Sequence, residues 1–291
     1  MKKSLMLTAL SLTTLWSVAQ IRTPQPSPAA TVMQTIGVTD ITIKYSRPAM
    51  KGREVFGKLV PYGQFWRTGA NQATAIEFST DVMFDGQNVP AGKYFLYSIP
   101  NPDSWFVIIN KSAATAPEQY KPADDVARVM VPVVPTSSTE SFMIGFSNIT
   151  DSTANLDIMW DKVKVSPKLM VSTTKVVESA IDKAAEASAN NMNAGANYLL
   201  SKGMNLQKAL GMINQAVAYK ETFRNLWTKA QILGKLGNFA EAAPAAKKAL
   251  ELGQASNDPS FSFFKEAIEK GASEYLSKIP VPALPVGKKK K

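Results

Sequence analysis

The 291-residue chain contains no cysteine and no histidine. These absences exclude a disulfide framework, a thiolate zinc site, a cysteine nucleophile and any imidazole base or metal ligand. Since the sequence has no complete catalytic motif of another kind, we predict no catalytic residues, no metal site and no cofactor. Enzymatic activity stays open but is disfavoured. Hydrophobic residues make up 45% and charged residues 19% of the chain, a balance that supports a buried core.

Long apolar runs are absent beyond the first twenty residues. Two lysines begin the chain, a mostly apolar stretch follows from Leu5 to Trp16, and Ser-Val-Ala at 17–19 offers the small residues of a signal-peptidase site. The stretch is shorter than the roughly 20 residues of a membrane-spanning helix. We therefore predict a signal peptide over residues 1–19, export to the periplasm or the extracellular space, and no membrane span.

The net charge of +10 is concentrated at the chain ends. Two of the positive charges belong to the predicted signal peptide, and the terminal run Lys288–Lys291 supplies four more, which leaves 10 − 2 − 4 = +4 on the rest. Pro280, Pro282 and Pro285 precede that run and favour an extended tail over residues 279–291. A basic tail on an exported chain does not indicate nucleic-acid binding, and we predict none.

The first half of the chain has the period of a β-sheet protein. From Ala30 to about Ser166, apolar residues alternate with polar ones in short runs, as in Ile41, Ile43 and Tyr45, and turn residues separate the runs. We expect about eight to ten short strands with no helix between them. The pattern predicts an antiparallel β-sandwich or barrel domain over residues 25–166.

After Pro167 the apolar period changes to that of α-helices, which predicts a helical domain over residues 172–278. Asp258 and Pro259 are predicted to cap and begin its last helix. A repeat offset of 33 residues relates residues 190–222 to 223–256. This repeat resembles tetratricopeptide helix-turn-helix units, whose role would be to dock a protein partner, and a plain helical bundle is the alternative.

One segment of the β half, residues 47–71, combines arginines, glycines, prolines and aromatic rings. We call it the signature segment. Five basic residues against the single Glu54 make it locally +4. Guanidinium groups donate forked hydrogen bonds to carboxylate, phosphate or sulfate, and aromatic faces suit a sugar or a peptide. The candidate ligand-binding residues are Arg47, Arg53, Tyr62, Trp66, Arg67 and Asn71.

The signature segment also carries a family resemblance. The chain from Tyr45-Ser-Arg-Pro to Trp66-Arg-Thr-Gly-Ala-Asn71, which includes the signature segment, resembles domain-of-unknown-function family 2911, and so do the later Pro90-to-Tyr94 and Leu156-to-Trp160 runs. Over residues 25–165 the resemblance implies an exported bacterial β-rich domain, which tetratricopeptide-like helices sometimes follow. It implies no activity.

Three functions remain open at this level. The favoured one is an exported, non-enzymatic module that binds a small anionic, glycan or peptide ligand and docks a protein through its helices. The second is a glycan hydrolase that uses two carboxylates among Glu54, Glu77, Asp81 and Asp85. The third is a purely structural envelope protein. For the signature segment itself the alternative to ligand binding is a structural role, in which Arg47, Arg53 and Arg67 pair with strand carboxylates such as Glu77, Asp81 or Asp157 while Trp66 and Phe56 plug one end of the sandwich.

Overall fold

A computed structural model describes residues 23–280 of the chain. The predicted signal peptide and the part of the Pro/Lys-rich tail from residue 281 onward lie outside this range. The chain divides into two compact units, Met1–Thr173 and Thr174–Lys291, which we call the β unit and the helical unit.

The described part of the β unit contains eleven strands in two antiparallel sheets. The strands are β1 (Ala29–Ile36), β2 (Thr39–Ser46), β3 (Thr74–Phe78), β4 (Val82–Phe84), β5 (Gln87–Val89), β6 (Gly92–Ile99), β7 (Ser104–Asn110), β8 (Asp125–Pro132), β9 (Val134–Ser147), β10 (Thr153–Val165) and β11 (Lys168–Val171). One sheet has the order β1-β2-β3-β6-β7-β8 and the other β5-β4-β11-β10-β9. The predicted α+β layout is confirmed, and of the two β alternatives the fold is the sandwich.

Alternation of side chains along the strands builds the core between the sheets. In β2, Ile41, Ile43 and Tyr45 are buried, while Thr42 and Lys44 point away from the other sheet. Because successive strand residues face opposite sides, this pattern fixes which face turns inward. The core cluster draws buried residues from both sheets, and three tryptophans, Trp66, Trp105 and Trp160, belong to it.

The strand β11 lies beyond Ser166, where the strand pattern was predicted to end. It pairs with a strand on each side, so that Leu169 lies opposite Ala154 of β10 and, on the other edge, opposite Phe84 of β4. This short strand therefore joins the β4-β5 hairpin to the long β9-β10 hairpin. Four residues provide only two inward positions, Leu169 and Val171, which is too few for an alternation to be recognised.

The outer face of the six-stranded sheet is partly covered by residues 111–124, which we call the covering segment. It contains two 3₁₀ turns, Pro117–Gln119 and Pro122–Asp124. Beneath it, Tyr97 of β6 and Ile108 of β7 are fully buried in a second, smaller apolar cluster, the outer cluster, against which Phe65 and Tyr120 pack. The six-stranded sheet is thus apolar on both faces in this region.

The helical unit contains five helices in the described range. They are α1 (Thr173–Lys202), α2 (Leu206–Tyr219), α3 (Phe223–Lys235), α4 (Phe239–Ala255) and α5 (Phe261–Ser277). The helices α3 and α4 form a helix-turn-helix pair around Gly237, whose φ of +79° is a conformation that favours glycine. Thr222 begins α3 with a capping box that it forms with Asn225.

The start of the last helix differs from the prediction. The helix α5 begins at Phe261, and the carboxylate of Asp258 accepts hydrogen bonds from the backbone N–H (2.9 Å) and hydroxyl (2.6 Å) of Ser260. Asp258 and Pro259 therefore form a turn before the helix. The prediction that they cap and open α5 is wrong, because this local turn competes with the helix for the same carboxylate.

Much of α1 is exposed to solvent. Its apolar residues Val177 and Ile181 are exposed, and the buried residues of α1 are Ala196 and Leu200 near its end. Within residues 23–280, none of the helices is both long and apolar enough to cross a membrane.

Candidate basic cleft of the β unit

The signature segment connects β2 to β3 and is ordered because it contributes side chains to the core. Val55, Phe56, Val60 and Trp66 are all buried in the cluster between the sheets. Backbone hydrogen bonds fold its middle part into a compact turn, with Gly57 N–H donating to Val60 O at 2.9 Å and Val60 N–H to Val55 O at 2.8 Å. The long connection is therefore a fixed part of the domain.

Trp66 is the anchor of the segment. Its backbone pairs with Ser98 of β6 in both directions, at 2.8 and 2.9 Å, and its indole Nε1 donates to Gly69 O at 3.0 Å. The ring stacks on Trp160 at 6.0 Å and meets Trp105 edge-on at 5.9 Å. The expectation that Trp66 and Phe56 plug the sandwich describes their positions correctly.

A tight turn follows Trp66 and sets the direction of the chain. Thr68 is fully buried and has φ of +51°, which is uncommon for a β-branched residue. Its hydroxyl lies 2.8 Å from the Ser98 hydroxyl, and its carbonyl accepts from Thr74 Oγ1 at 2.7 Å. Gly69 has φ of +154°, which residues with a side chain rarely adopt, and a Cβ there would lie 3.0 Å from Thr74 Oγ1 and 3.2 Å from Ser46 O, so the turn favours glycine.

The two ends of the signature segment enclose a cleft of about 700 Å³, which we call the basic cleft. Ligand pockets commonly have volumes of about 300–1,000 Å³. No aspartate or glutamate is among the described residues that line it. The side chains in its lining that carry charge, a polar group or an aromatic ring are Lys51, Arg53, Arg67, Ser27, Asn71, Thr115, Phe65, Trp66 and Trp160.

The arginines of the cleft are held by main-chain carbonyls. Arg53 donates from Nε to Met50 O (2.9 Å) and from Nη2 to Ala49 O (2.7 Å). Arg67 is half-buried and donates from Nη1 to Asn71 O at 2.7 Å. Each guanidinium has five N–H donors, so both retain donors beyond these contacts while their planes are oriented.

Two of the predicted site residues lie elsewhere. Arg47 does not line the cleft; its Nε donates to Phe142 O of β9 at 2.9 Å and so ties the end of β2 to the other sheet. Tyr62 is exposed and does not line the cleft either, and its ring lies over Gly57. The structure therefore brings Arg53, Trp66, Arg67 and Asn71 together and leaves Arg47 and Tyr62 outside.

The carboxylates expected to pair with the arginines have other partners. Glu77 lies 3.7 Å from Lys93, Asp81 accepts from the backbone N–H of Ala91 at 2.8 Å, and the buried Asp157 accepts from Ser166 Oγ at 2.6 Å. None of the ion pairs found in residues 23–280 involves an arginine of the signature segment. The predicted arginine–carboxylate pairing is wrong, because backbone carbonyls satisfy these guanidinium groups.

Sequence reasoning missed five of these nine lining residues of the cleft, among them Ser27 ahead of β1 and Trp160 of β10. Lys51 and Phe65 stand within the signature segment, and Thr115 belongs to the covering segment. The side chain of Phe65 could have been recognised from its position, because Phe65 and Arg67 flank Trp66 in an extended stretch and alternate with it. The sequence gives no comparable signal for Thr115.

The helical unit has a cavity of its own, of about 420 Å³, near the beginning of α3. At its rim Arg224 Nη2 lies 2.9 Å from Asp258 Oδ2 and also contacts the hydroxyl of Ser260. The hydrogen bond from the Ser260 hydroxyl, followed by that from Arg224, lowers the pKa of Asp258 to about 2. In residues 23–280 no group of His, Cys, Asp and Glu side chains could hold a metal ion.

The fold and the cleft together define a two-sheet β-sandwich domain with a basic, carboxylate-free cleft, followed by a helical unit. Residues 27–169, which make up most of the β unit, match the family described as Protein of unknown function (DUF2911). The resemblance drawn from the signature segment is confirmed. No curated protein and no solved structure matches the chain.

Proposed function

We propose that the protein is an exported binding module whose basic cleft takes a small anionic ligand. The observation that carries the proposal is the lining of the cleft, where Lys51, Arg53 and Arg67 contribute three positive charges and none of the described lining residues contributes a negative one. An anion in such a cleft gains charge-assisted hydrogen bonds, which are about twice as strong as neutral ones. The proposal covers glycan and peptide ligands that carry carboxylate, phosphate or sulfate.

The orientation of the guanidinium groups supports binding. Because Arg53 and Arg67 are already fixed by hydrogen bonds to carbonyls, little side-chain entropy is lost when they contact a ligand. The alternative of a carboxylate-dependent hydrolase gains no support, since that reaction needs two acids facing each other across the cleft. A purely structural role for the signature segment leaves the open volume of the cleft unexplained.

The binding proposal is tested with Arg67→Ala. Thermal melting should show a loss of only about 0.5–1 kcal/mol, because the guanidinium is half-exposed and pairs with no carboxylate. Retention on carboxylated and sulfated glycan or peptide columns should fall sharply. Lys93→Ala is the matched control, since it removes one positive charge from an exposed site outside the cleft in the same unit. Equal retention of the two variants contradicts the proposal.

Export rests on the N-terminal sequence. The mature protein should begin at Gln20 and occur in the periplasm or the medium, because residues 1–19 have the charged start, apolar stretch and small-residue site of a signal peptide. Mass spectrometry of the N-terminal peptide measures this directly. A cytoplasmic protein that retains residues 1–19 contradicts it.

The helical unit serves as a protein-docking module of tetratricopeptide-like repeats. The support is the 33-residue offset together with the α3–α4 helix-turn-helix pair and the cavity beside α3. Cross-linking in the producing cell, followed by mass spectrometry, should recover a second protein joined to this unit. Cross-links that join the chain only to itself overturn the docking role.

A further inference from the structure

An aromatic ring stands beside the guanidinium in the basic cleft. The backbone pairing of Trp66 with Ser98 makes this stretch extended, so Phe65 and Arg67 lie on the side opposite the Trp66 indole. Both residues line the cleft. Arg67 and Phe65 are thus both accessible to a ligand in the cleft.

The ring of Phe65 is held in place from behind. Its centroid lies 4.9 Å from that of Tyr97 and 5.0 Å from that of Tyr120. Tyr97 is fixed in turn, since its hydroxyl donates to Ser112 O at 2.8 Å and accepts from the backbone N–H of Ala114 at 2.6 Å. These contacts make Phe65 a fixed platform.

The wall opposite the signature segment belongs to the same assembly. Thr115 and Pro117 of the covering segment line the cleft. The Tyr120 hydroxyl donates to Asp125 Oδ2 at 2.7 Å, which holds the end of the covering segment against β8. Ring, wall and guanidinium are thus positioned relative to one another before any ligand arrives.

Three main-chain carbonyls beside the cleft already accept hydrogen bonds from its arginines. The carbonyls of Ala49 and Met50 accept from Arg53, and that of Asn71 accepts from Arg67. Extended peptides obtain much of their affinity from main-chain hydrogen bonds, for which these three carbonyls are in part already used. A sugar instead uses side-chain hydrogen bonds together with the apolar C–H face of its ring, for which an aromatic side chain is a suitable partner.

We propose that the basic cleft binds an acidic oligosaccharide, with the carboxylate of a uronic acid on Arg67 and the C–H face of a sugar ring on Phe65. This inference rests on the proposed anion-binding function and narrows it to one ligand class. Arg67 and Arg53 supply the charge recognition, which any small anion shares. Phe65 supplies the preference for a sugar, and Tyr97 and Tyr120 act as positioning residues for that ring.

The experiment is titration calorimetry of the full chain with three probes. They are a trisaccharide of galacturonic acid, the corresponding neutral trisaccharide of galactose, and N-acetylated, C-amidated triglutamate, which has the same three carboxylates on a peptide. The four lysines at 288–291 are replaced by Gln in every chain that is titrated, including the reference chain with an unsubstituted cleft, so that the terminal run contributes no anion binding.

We expect the acidic trisaccharide to bind at least about tenfold more tightly than either other probe. Arg67→Ala should weaken its binding about tenfold or more, and so should Phe65→Leu. Phe65→Tyr keeps the ring and should retain the affinity within about twofold, which separates loss of the platform from loss of folding.

Two results would overturn the inference in different ways. Triglutamate that binds as tightly as the acidic trisaccharide, or Phe65→Leu with unchanged affinity in a folded chain, refutes the sugar ligand and leaves anion binding intact. If neither charged probe distinguishes the unsubstituted chain from Arg67→Ala, anion binding in this cleft is itself refuted.

Discussion

Removing the Tyr97 hydroxyl from the outer cluster should destabilise the β unit more than the small size of that group suggests. In Tyr97→Phe the ring remains, but the buried backbone N–H of Ala114 loses its acceptor and Ser112 O loses its donor. A buried donor without a partner costs about 1–3 kcal/mol, so we expect a loss of about 2 kcal/mol. For a unit of this size that corresponds to a fall in Tm of about 4–8 °C.

The matched control is Tyr94→Phe in the same strand. The Tyr94 hydroxyl donates to Pro90 O at 3.0 Å, and Pro90 is exposed, so water can replace the lost donor. We expect this variant to lose only about 0.5–1 kcal/mol. Calorimetric melting compares the two variants, and amide exchange at Ala114 should accelerate in Tyr97→Phe alone. Equal melting temperatures for the two variants would refute the reasoning.

Further predictions concern the helical unit. Gly271→Ala should lower the Tm clearly, because the new Cβ of α5 would collide with the ring of Trp227, whereas Gly211→Ala in α2 meets open space and should stabilise the unit by about 0.5–1 kcal/mol. Chemical denaturation measures both variants, and the same sign for both would contradict the packing. The hydrogen bond from Ser260 lowers the pKa of Asp258 to about 2, so its contribution should be complete above pH 4 and lost as the pH falls towards 2. Melting of Asp258→Asn beside the unsubstituted chain checks this, and a stability difference that persists at pH 2 contradicts it.

Strand periodicity was sufficient to predict the sandwich because each major strand has at least two inward apolar residues between polar ones. The inward residues Ile41 and Ile43 are examples. The prediction failed to include β11, where two inward residues stand at the end of the pattern, and it misplaced the start of α5. In both places the local structure depends on contacts that the hydrophobic period does not encode. For β11 they are its pairings with neighbouring strands, and before α5 they are the hydrogen bonds between Asp258 and Ser260.

The candidate site was predictable as a segment but not residue by residue. Arg47 and Arg53 are six residues apart and look alike in the sequence, yet only Arg53 lines the cleft. The difference arises because Phe142, far along the chain, supplies the carbonyl that holds Arg47. The alternation around Trp66 could have indicated Phe65, but the contacts that hold its ring come from Tyr97 and Tyr120, in a strand and a loop distant in sequence.

The stacked indoles beneath the basic cleft give the protein a built-in optical reporter. Trp66, Trp105 and Trp160 are three of the five tryptophans in the chain, and Trp66 has its ring within 6.0 Å of both others. Such closely spaced indoles couple their electronic transitions, and Trp66 and Trp160 also line the cleft. A molecule entering the cleft would change the near-ultraviolet circular dichroism and emission of this group, while Trp227 in the helical unit supplies a separate signal that a Trp227→Phe variant removes.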